Sequence, residues 1–189
     1  NGREKYIKGV NATSDYVWTD GKIEYQGELP PEIEHIYPDY KLFGIKKAIG
    51  FTTRGCPNAC GFCLVSCKEG VKSVKVADIS EFWRGQKEID LMDANLLACP
   101  EHEEIIRQLI DSKAKVNFNQ GLDARFINDD NAKMLSKVKV KMMHFALDLP
   151  KNTDKVIQGL VTYRKYNPHV DPRNISVYVL TNYNTTFEE

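Results

Sequence analysis

From about residue 45 onward, short apolar, β-prone runs alternate with stretches that repeat apolar side chains at helical spacing. The β-prone runs fall at 47–53, 88–92, 115–119, 140–147 and 175–180. Between the later runs, three stretches carry the helical pattern. Pro100 opens one that sets Ile105, Ile106, Leu109 and Ile110 on one face. Asn128 or Asp129 caps a second, carrying Ala132, Leu135 and Val138, and Asn152 or Thr153 caps a third, carrying Val156, Ile157, Leu160 and Val161. Proline suits a first helical position, Asn, Asp and Thr suit an N-cap, and i, i+3, i+4 repeats make one face apolar. Strands separated by single helices form parallel βαβ units. The expectation is therefore an α/β fold over residues 45–189, an open or partial parallel (βα) barrel of about five strands. In such barrels chemistry gathers at the C-terminal ends of the strands.

Residues 1–44 have a different texture, rich in Gly, Pro, Tyr and Asp, with no long periodic pattern. The run 17–25 predicts a small hairpin turning at Asp20-Gly21. Leu29-Pro30-Pro31 and Tyr37-Pro38-Asp39-Tyr40 break any helix. This part reads as a lead-in segment or the tail of an upstream domain. The ends read as cut, because the chain opens on Asn1-Gly2-Arg3 and stops at Thr185-Thr186-Phe187-Glu188-Glu189, just after a strand-like run.

Composition narrows the classes. With 189 residues, 42% of them hydrophobic, the chain has material for one compact core. The 26 basic and 26 acidic residues cancel, so extensive nucleic-acid binding is disfavoured, although a local patch stays open. No apolar stretch approaches the ~18 residues of a membrane span. Five cysteines without a secretory segment point to a reducing cytoplasm.

The densest chemistry lies just past the first β-prone run, in Thr53-Arg54-Gly55-Cys56-Pro57-Asn58-Ala59-Cys60-Gly61-Phe62-Cys63. Cys56, Cys60 and Cys63 are spaced C-x3-C-x2-C, with an aromatic residue before the last. Three thiolates on one tight loop can hold three irons of a 4Fe–4S cubane and leave the fourth iron open to another ligand. Cys67 follows at a further x3 spacing, so Cys56, Cys60, Cys63 and Cys67 could instead close a structural zinc site on a non-enzymatic α/β module. Paired C-x2-C elements are usual in zinc loops, and only one pair here has that spacing.

The loop resembles that of the radical S-adenosylmethionine (radical SAM) superfamily. The resemblance implies a partial (βα) barrel, truncated here after about five strands. It also implies a 4Fe–4S cluster held by Cys56, Cys60 and Cys63, and S-adenosyl-L-methionine chelated at the open iron. Reductive cleavage of that cofactor would give a 5′-deoxyadenosyl radical that abstracts hydrogen from an unknown substrate. An external electron donor such as flavodoxin or ferredoxin is implied too. The family's aromatic position falls on Phe62, whose ring would pack near the adenine. The family's Gly-Gly-Glu-like motif after the second strand is absent; Asp93-Ala94-Asn95 stands there, similar to the Asp-Asp-Asn of cobalamin-associated branches.

On this reading Asp93 and Asn95 offer oxygens to the cofactor's ammonium, while Asp and Asn are equally common in turns and caps. Past the third strand, Arg125 suits the cofactor's carboxylate, and Gln120 and Asp123 are candidates for cofactor or substrate, against the alternative of an internal Asp–Arg pair. Asp148, past the fourth strand, and Thr181 with Asn182, past the fifth, are candidates for ribose or adenine, or else caps and turns. His144 reads as a sheet residue, Cys67 and Cys99 as free buried thiols, with a redox or substrate-proximal role the alternative for Cys67, and 68–72 as a solvated loop. Thr-Arg-Gly-Cys-Pro is similar to methylthiotransferases and the cobalamin-dependent group, but their accessory domains have no counterpart in this sequence. Glycyl-radical activases find no positive support either. No catalytic residue and no substrate is legible.

Overall fold

The structure is a computed structural model that describes residues 31–181 and, ahead of them, three short strands. In chain order the elements are β1 (Lys5–Ile7), β2 (Tyr16–Thr19), β3 (Lys22–Tyr25), α1 (Pro31–Glu34), β4 (Ala48–Gly50), β5 (Thr53–Arg54), α2 (Val65–Glu69), β6 (Val74–Lys75), β7 (Glu88–Leu91), α3 (His102–Ser112), β8 (Lys115–Leu122), α4 (Asp129–Leu135), β9 (Lys139–Leu147), α5 (Thr153–Tyr166) and β10 (Ile175–Val179). The expected α/β architecture is present. Five strands form one sheet in the order β10-β9-β8-β7-β4, and every adjacent pair is parallel.

The order carries a consequence for function. Each new strand is added on the same side of the last, so the sheet winds in one direction and has no point of reversal. Right-handed crossovers then put α3, α4 and α5 on one face. That face holds the core. Ile89, Leu91, Val116, Phe118, Met143 and Phe145 from the strands are buried with Ile105, Ile106, Leu109, Leu135, Val156 and Tyr163 from the helices. The alternate positions are polar: Asp90 pairs with Lys47, and the Asn117 amide donates to Asp90 and Asn119. A parallel sheet covered by helices on both faces would be apolar on both. This one has a single helical layer.

Several details depart from expectation. The first β-prone run splits: β4 stops at Gly50, and Thr53-Arg54 turn away to pair with β6 as a separate antiparallel ribbon. A Cβ at Gly50 would lie 2.3 Å from the Phe82 ring, so the strand passes too close to that ring for a larger residue. The crossover from β4 to β7 contains the five-residue α2, a helix the sequence reading did not single out. The stretch 68–72 is not a solvated loop throughout, because Lys68 and Glu69 end α2 and Glu69 faces inward.

On α5 the buried face is Val156, Gly159 and Tyr163, while Ile157 and Val161 are 51% and 64% exposed. The helix is rotated by a close approach: a Cβ at Gly159 would sit 1.8 Å from the Ala124 carbonyl oxygen. Tyr163 then meets Phe145 edge-on, with ring centroids 5.2 Å apart. Ahead of the sheet, the expected hairpin is present as β2 and β3, paired from Tyr16–Tyr25 to Thr19–Lys22, with β1 as a third strand. Its turn at Asp20-Gly21 lies outside the described residues. Among the described residues, no helix is long and apolar enough to cross a membrane.

Candidate functional site

The cysteine loop is fastened at three points. The β5–β6 ribbon closes its neck, with Thr53 opposite Lys75 and Arg54 opposite Val74. Within the neck, Gly55 has φ +83°, and a Cβ there would lie 2.1 Å from the Lys72 carbonyl oxygen. Only glycine meets both demands. The Cys56 amide donates to the Gly70 carbonyl at 3.1 Å, which locks the first cysteine against the far side of the loop.

The second fastening is a buried ion pair. The Glu69 carboxylate accepts from Arg54 Nη1 and from the Gly55 amide, both at 3.0 Å. Arg54 also donates through Nη2 to Glu34 at 3.0 Å and lies over the Phe51 ring, 3.6 Å from its centroid. The Glu69 and Arg54 side chains are 2% and 6% exposed, so this pair is shielded from the solvent screening that weakens surface pairs.

Asp93 makes the third. Its carboxylate accepts from the Thr52 amide at 2.6 Å, the Thr53 amide at 3.0 Å and the Thr52 hydroxyl. It joins the end of β7 to the chain leaving β4. Burial pushes the Asp93 carboxyl up to about 6, against the hydrogen bonds from Thr52 and Thr53 and the Arg54 charge, which pull it down. The charged form is thus costlier in the fold than in the unfolded chain. Below about pH 4 both states hold the proton and the group costs nothing. As pH rises through 6 the unfolded chain releases its proton first, and the fold loses stability on the order of 3 kcal/mol from this group. In urea unfolding, wild-type stability measured relative to Asp93→Asn is expected to fall by that order between pH 4 and 7. A difference that stays flat across this range would contradict it.

Inside the loop and the adjoining strand ends lies a cavity of about 410 Å³, within the range of ligand pockets. Cys56, Cys60 and Cys63 line it together with Phe62, Asn95, Gln120, Asp123, Arg125 and Asp148. It opens past the C-terminal ends of β7, β8 and β9, where a singly wound sheet gathers its loops. Asp123 is the hub. It accepts from Arg125 Nε at 2.8 Å and Nη2 at 2.6 Å, and from Asn58 of the cysteine loop at 2.8 Å. Asn95 Nδ2 lies 3.4 Å from Asp123 and 3.6 Å from Cys56 Sγ. Asn95 is buried, and its Oδ1 has no hydrogen-bond partner. An acceptor in that position is matched by a ligand that brings an N–H or ammonium.

The electrostatics are mixed. Burial, with Cys56, Asp148 and Cys63 nearby, pushes the Cys60 thiol up, and the Arg125 charge partly offsets this. Burial also raises Asp148, against Arg125. Burial alone would raise Asp123, but the hydrogen bonds from Arg125 and Asn58 outweigh it and hold that carboxyl low. Arg125 is a cation in the lining shared by the thiols and the carboxylates, and at Cys60 its charge works against the upward push of burial without reversing it.

Of the residues singled out in the sequence, the cavity brings together the three cysteines, Phe62, Asn95, Gln120, Asp123, Arg125 and Asp148. Asp93 and Thr181 do not line it. Asp93 is directed onto Thr52 and Thr53, and Thr181 is exposed beyond the end of β10. Asn182 lies outside the described residues. At Arg125 the internal pair is present, formed through Nε and Nη2, and Nη1 takes no part in it. Asn58 and Glu69 were missed. Asn58 sits between two of the cysteines and could have been suspected on that ground. Glu69 carried no signal, because its partners are 14 and 15 residues away.

Among the described residues, no group of three or more His, Cys, Asp or Glu side chains is placed to hold a single metal ion. Cys67, expected to be buried like Cys99, is instead exposed on α2 and does not line the cavity. No family model matches the chain, and no curated protein matches it either.

Proposed function

We propose that this chain is the core of a radical SAM enzyme acting on a substrate of unknown identity. The observation that carries the proposal is one of placement. The three thiols line a single cavity at the C-terminal edge of a singly wound parallel sheet, beside an unpartnered buried acceptor and a cation. A bound 4Fe–4S cluster and S-adenosylmethionine would together supply a 5′-deoxyadenosyl radical able to abstract hydrogen from the substrate.

The protein's part is to bind, orient and exclude water. Cys56, Cys60 and Cys63 serve as thiolate ligands. Asn95 Oδ1 and the Asp148 carboxylate suit an ammonium group, and the Nη1 edge of Arg125 suits a carboxylate. Those are the two charged ends of the methionine moiety. Gln120 and Asp123 orient the polar wall, and Phe62 offers an aromatic face to a planar base. With the cluster reconstituted anaerobically and dithionite as reductant, the protein is expected to convert S-adenosylmethionine to methionine and 5′-deoxyadenosine in equal amounts. The Cys56, Cys60, Cys63 triple alanine variant is expected to form neither. Equal product from that variant would overturn the proposal.

A further inference from the structure

A second cavity, of about 440 Å³, is lined by the stretch 33–45 and by the end of β4 with its neighbours. It shares no lining residue with the cysteine cavity. Its volume suits a small organic ligand. The lining is mostly apolar and includes four aromatic rings, Tyr40, Phe43, Phe51 and Phe82. Its walls are set without a ligand. Tyr40 Oη accepts from the Ile49 amide at 2.9 Å and lies 2.8 Å from the Phe82 carbonyl oxygen. The Phe82 ring packs on Gly50, where a Cβ would lie 2.3 Å from it. Phe43 and Ile36 are 75% and 64% exposed, so part of this apolar lining faces solvent.

The charge of the lining is one-sided. Glu34, Asp39 and Glu81 belong to it, and among the described residues no lysine or arginine does. Glu34 is taken up by Arg54. Glu81 lies 2.7 Å from His35, which carries charge only when protonated. Asp39 Oδ1 accepts from the Lys41 and Leu42 amides, which bring no charge. Two carboxylates therefore stand beside the rings with no lysine or arginine to meet them. One of those rings already carries a cation, because the Arg54 guanidinium lies 3.6 Å from the Phe51 centroid. An aromatic face attracts a cation, and the attraction grows where water is excluded. Carboxylates in the same lining add to it and repel an anion.

We propose that this second cavity binds an organic cation carried on an apolar body, an alkyl- or arylammonium. The apolar body lies among the rings, and the ammonium meets the Asp39 and Glu81 carboxylates. Walls that are already fixed lose little freedom when the ligand enters. The inference is independent of the cluster reading, since it uses neither the thiols nor iron.

The test is calorimetric titration of the purified chain at mildly alkaline pH and low ionic strength. Three probes share one phenylbutyl skeleton and differ in charge: phenylbutylammonium, phenylbutanol and phenylvalerate. The cation is expected to bind at least about tenfold tighter than the alcohol, and the carboxylate to bind weakest. Glu81→Gln is expected to narrow the gap between cation and alcohol at least about threefold, leaving the alcohol unchanged. Phe43→Ala removes a ring that is 75% exposed and outside the packed core, and is expected to weaken cation and alcohol alike by at least about threefold. Phe43 lines this cavity and not the one at the cysteines, so that variant tells the two apart. No binding of the cation, equal affinity for cation and alcohol, or cation binding unchanged in both variants would overturn the proposal.

Discussion

Replacing any one of Cys56, Cys60 or Cys63 by alanine is expected to lower the iron retained after anaerobic reconstitution to below about a tenth of wild type, whereas Cys67→Ala and Cys99→Ala retain it. Each of the first three thiols lines the cavity, and each would hold its own iron, so no neighbour can substitute for a missing one. Cys67 is exposed on α2 and does not line the cavity. Cys99 is buried, its sulfur lies 3.1 Å from the Glu101 carboxylate, and burial together with that carboxylate pushes its thiol up to about 11. It stays protonated at neutral pH, and a protonated thiol is a poor iron ligand. Iron and sulfide per chain, with the brown absorbance, measure the outcome. Loss of iron in Cys67→Ala equal to that in Cys63→Ala would point to a four-sulfur site instead.

Glu69→Ala is expected to destabilise the fold by about 3 kcal/mol or more, lowering Tm by about 6–12 °C, and to weaken iron retention with it. Two groups lose their acceptor at once: the Gly55 amide and Nη1 of a guanidinium whose side chain is only 6% exposed. The Arg54 charge stays buried with Glu34 and the Phe51 ring as its remaining company. The loop neck, where Gly55 and Cys56 meet the turn 70–72, then loses the strut across it. Glu103→Ala is the control. Glu103 pairs with Arg107, but those side chains are 48% and 60% exposed, and an exposed pair contributes at most about 1 kcal/mol. Thermal unfolding of both variants with iron analysis decides the matter. Equal small shifts would show that the buried pair does not hold the loop.

The sequence carried some of these features plainly and concealed others for definable reasons. Runs such as 115–119 and 140–147 announce strands because a parallel strand packed on helices needs an unbroken apolar face, and that need is local. The cysteine spacing is local as well, as are the polar stretches past each strand, which is why most candidate residues were found in one cavity. The role of Asp93 was hidden, because its partners Thr52 and Thr53 lie 41 and 40 residues away and an aspartate after a strand reads as a turn or a ligand. Glu69 looked like a surface residue among lysines, and only the folded loop brings Arg54 onto it. On α5 the apolar repeat pointed to Ile157 and Val161; the close approach at Gly159 rotated the helix and chose Tyr163 instead. In each of these the deciding contact is long-range, and spacing along the chain does not encode it.

The central claim is that three thiols hold a cluster whose open iron binds S-adenosylmethionine. The measurement that tests it most directly is EPR of the anaerobically reconstituted, dithionite-reduced protein, recorded with and without S-adenosylmethionine. The account predicts a reduced cubane signal whose g values shift when the cofactor is added and do not shift in Arg125→Ala at the same cofactor concentration. Stoichiometric zinc in anaerobically prepared protein, with no cubane signal under any condition, would contradict it.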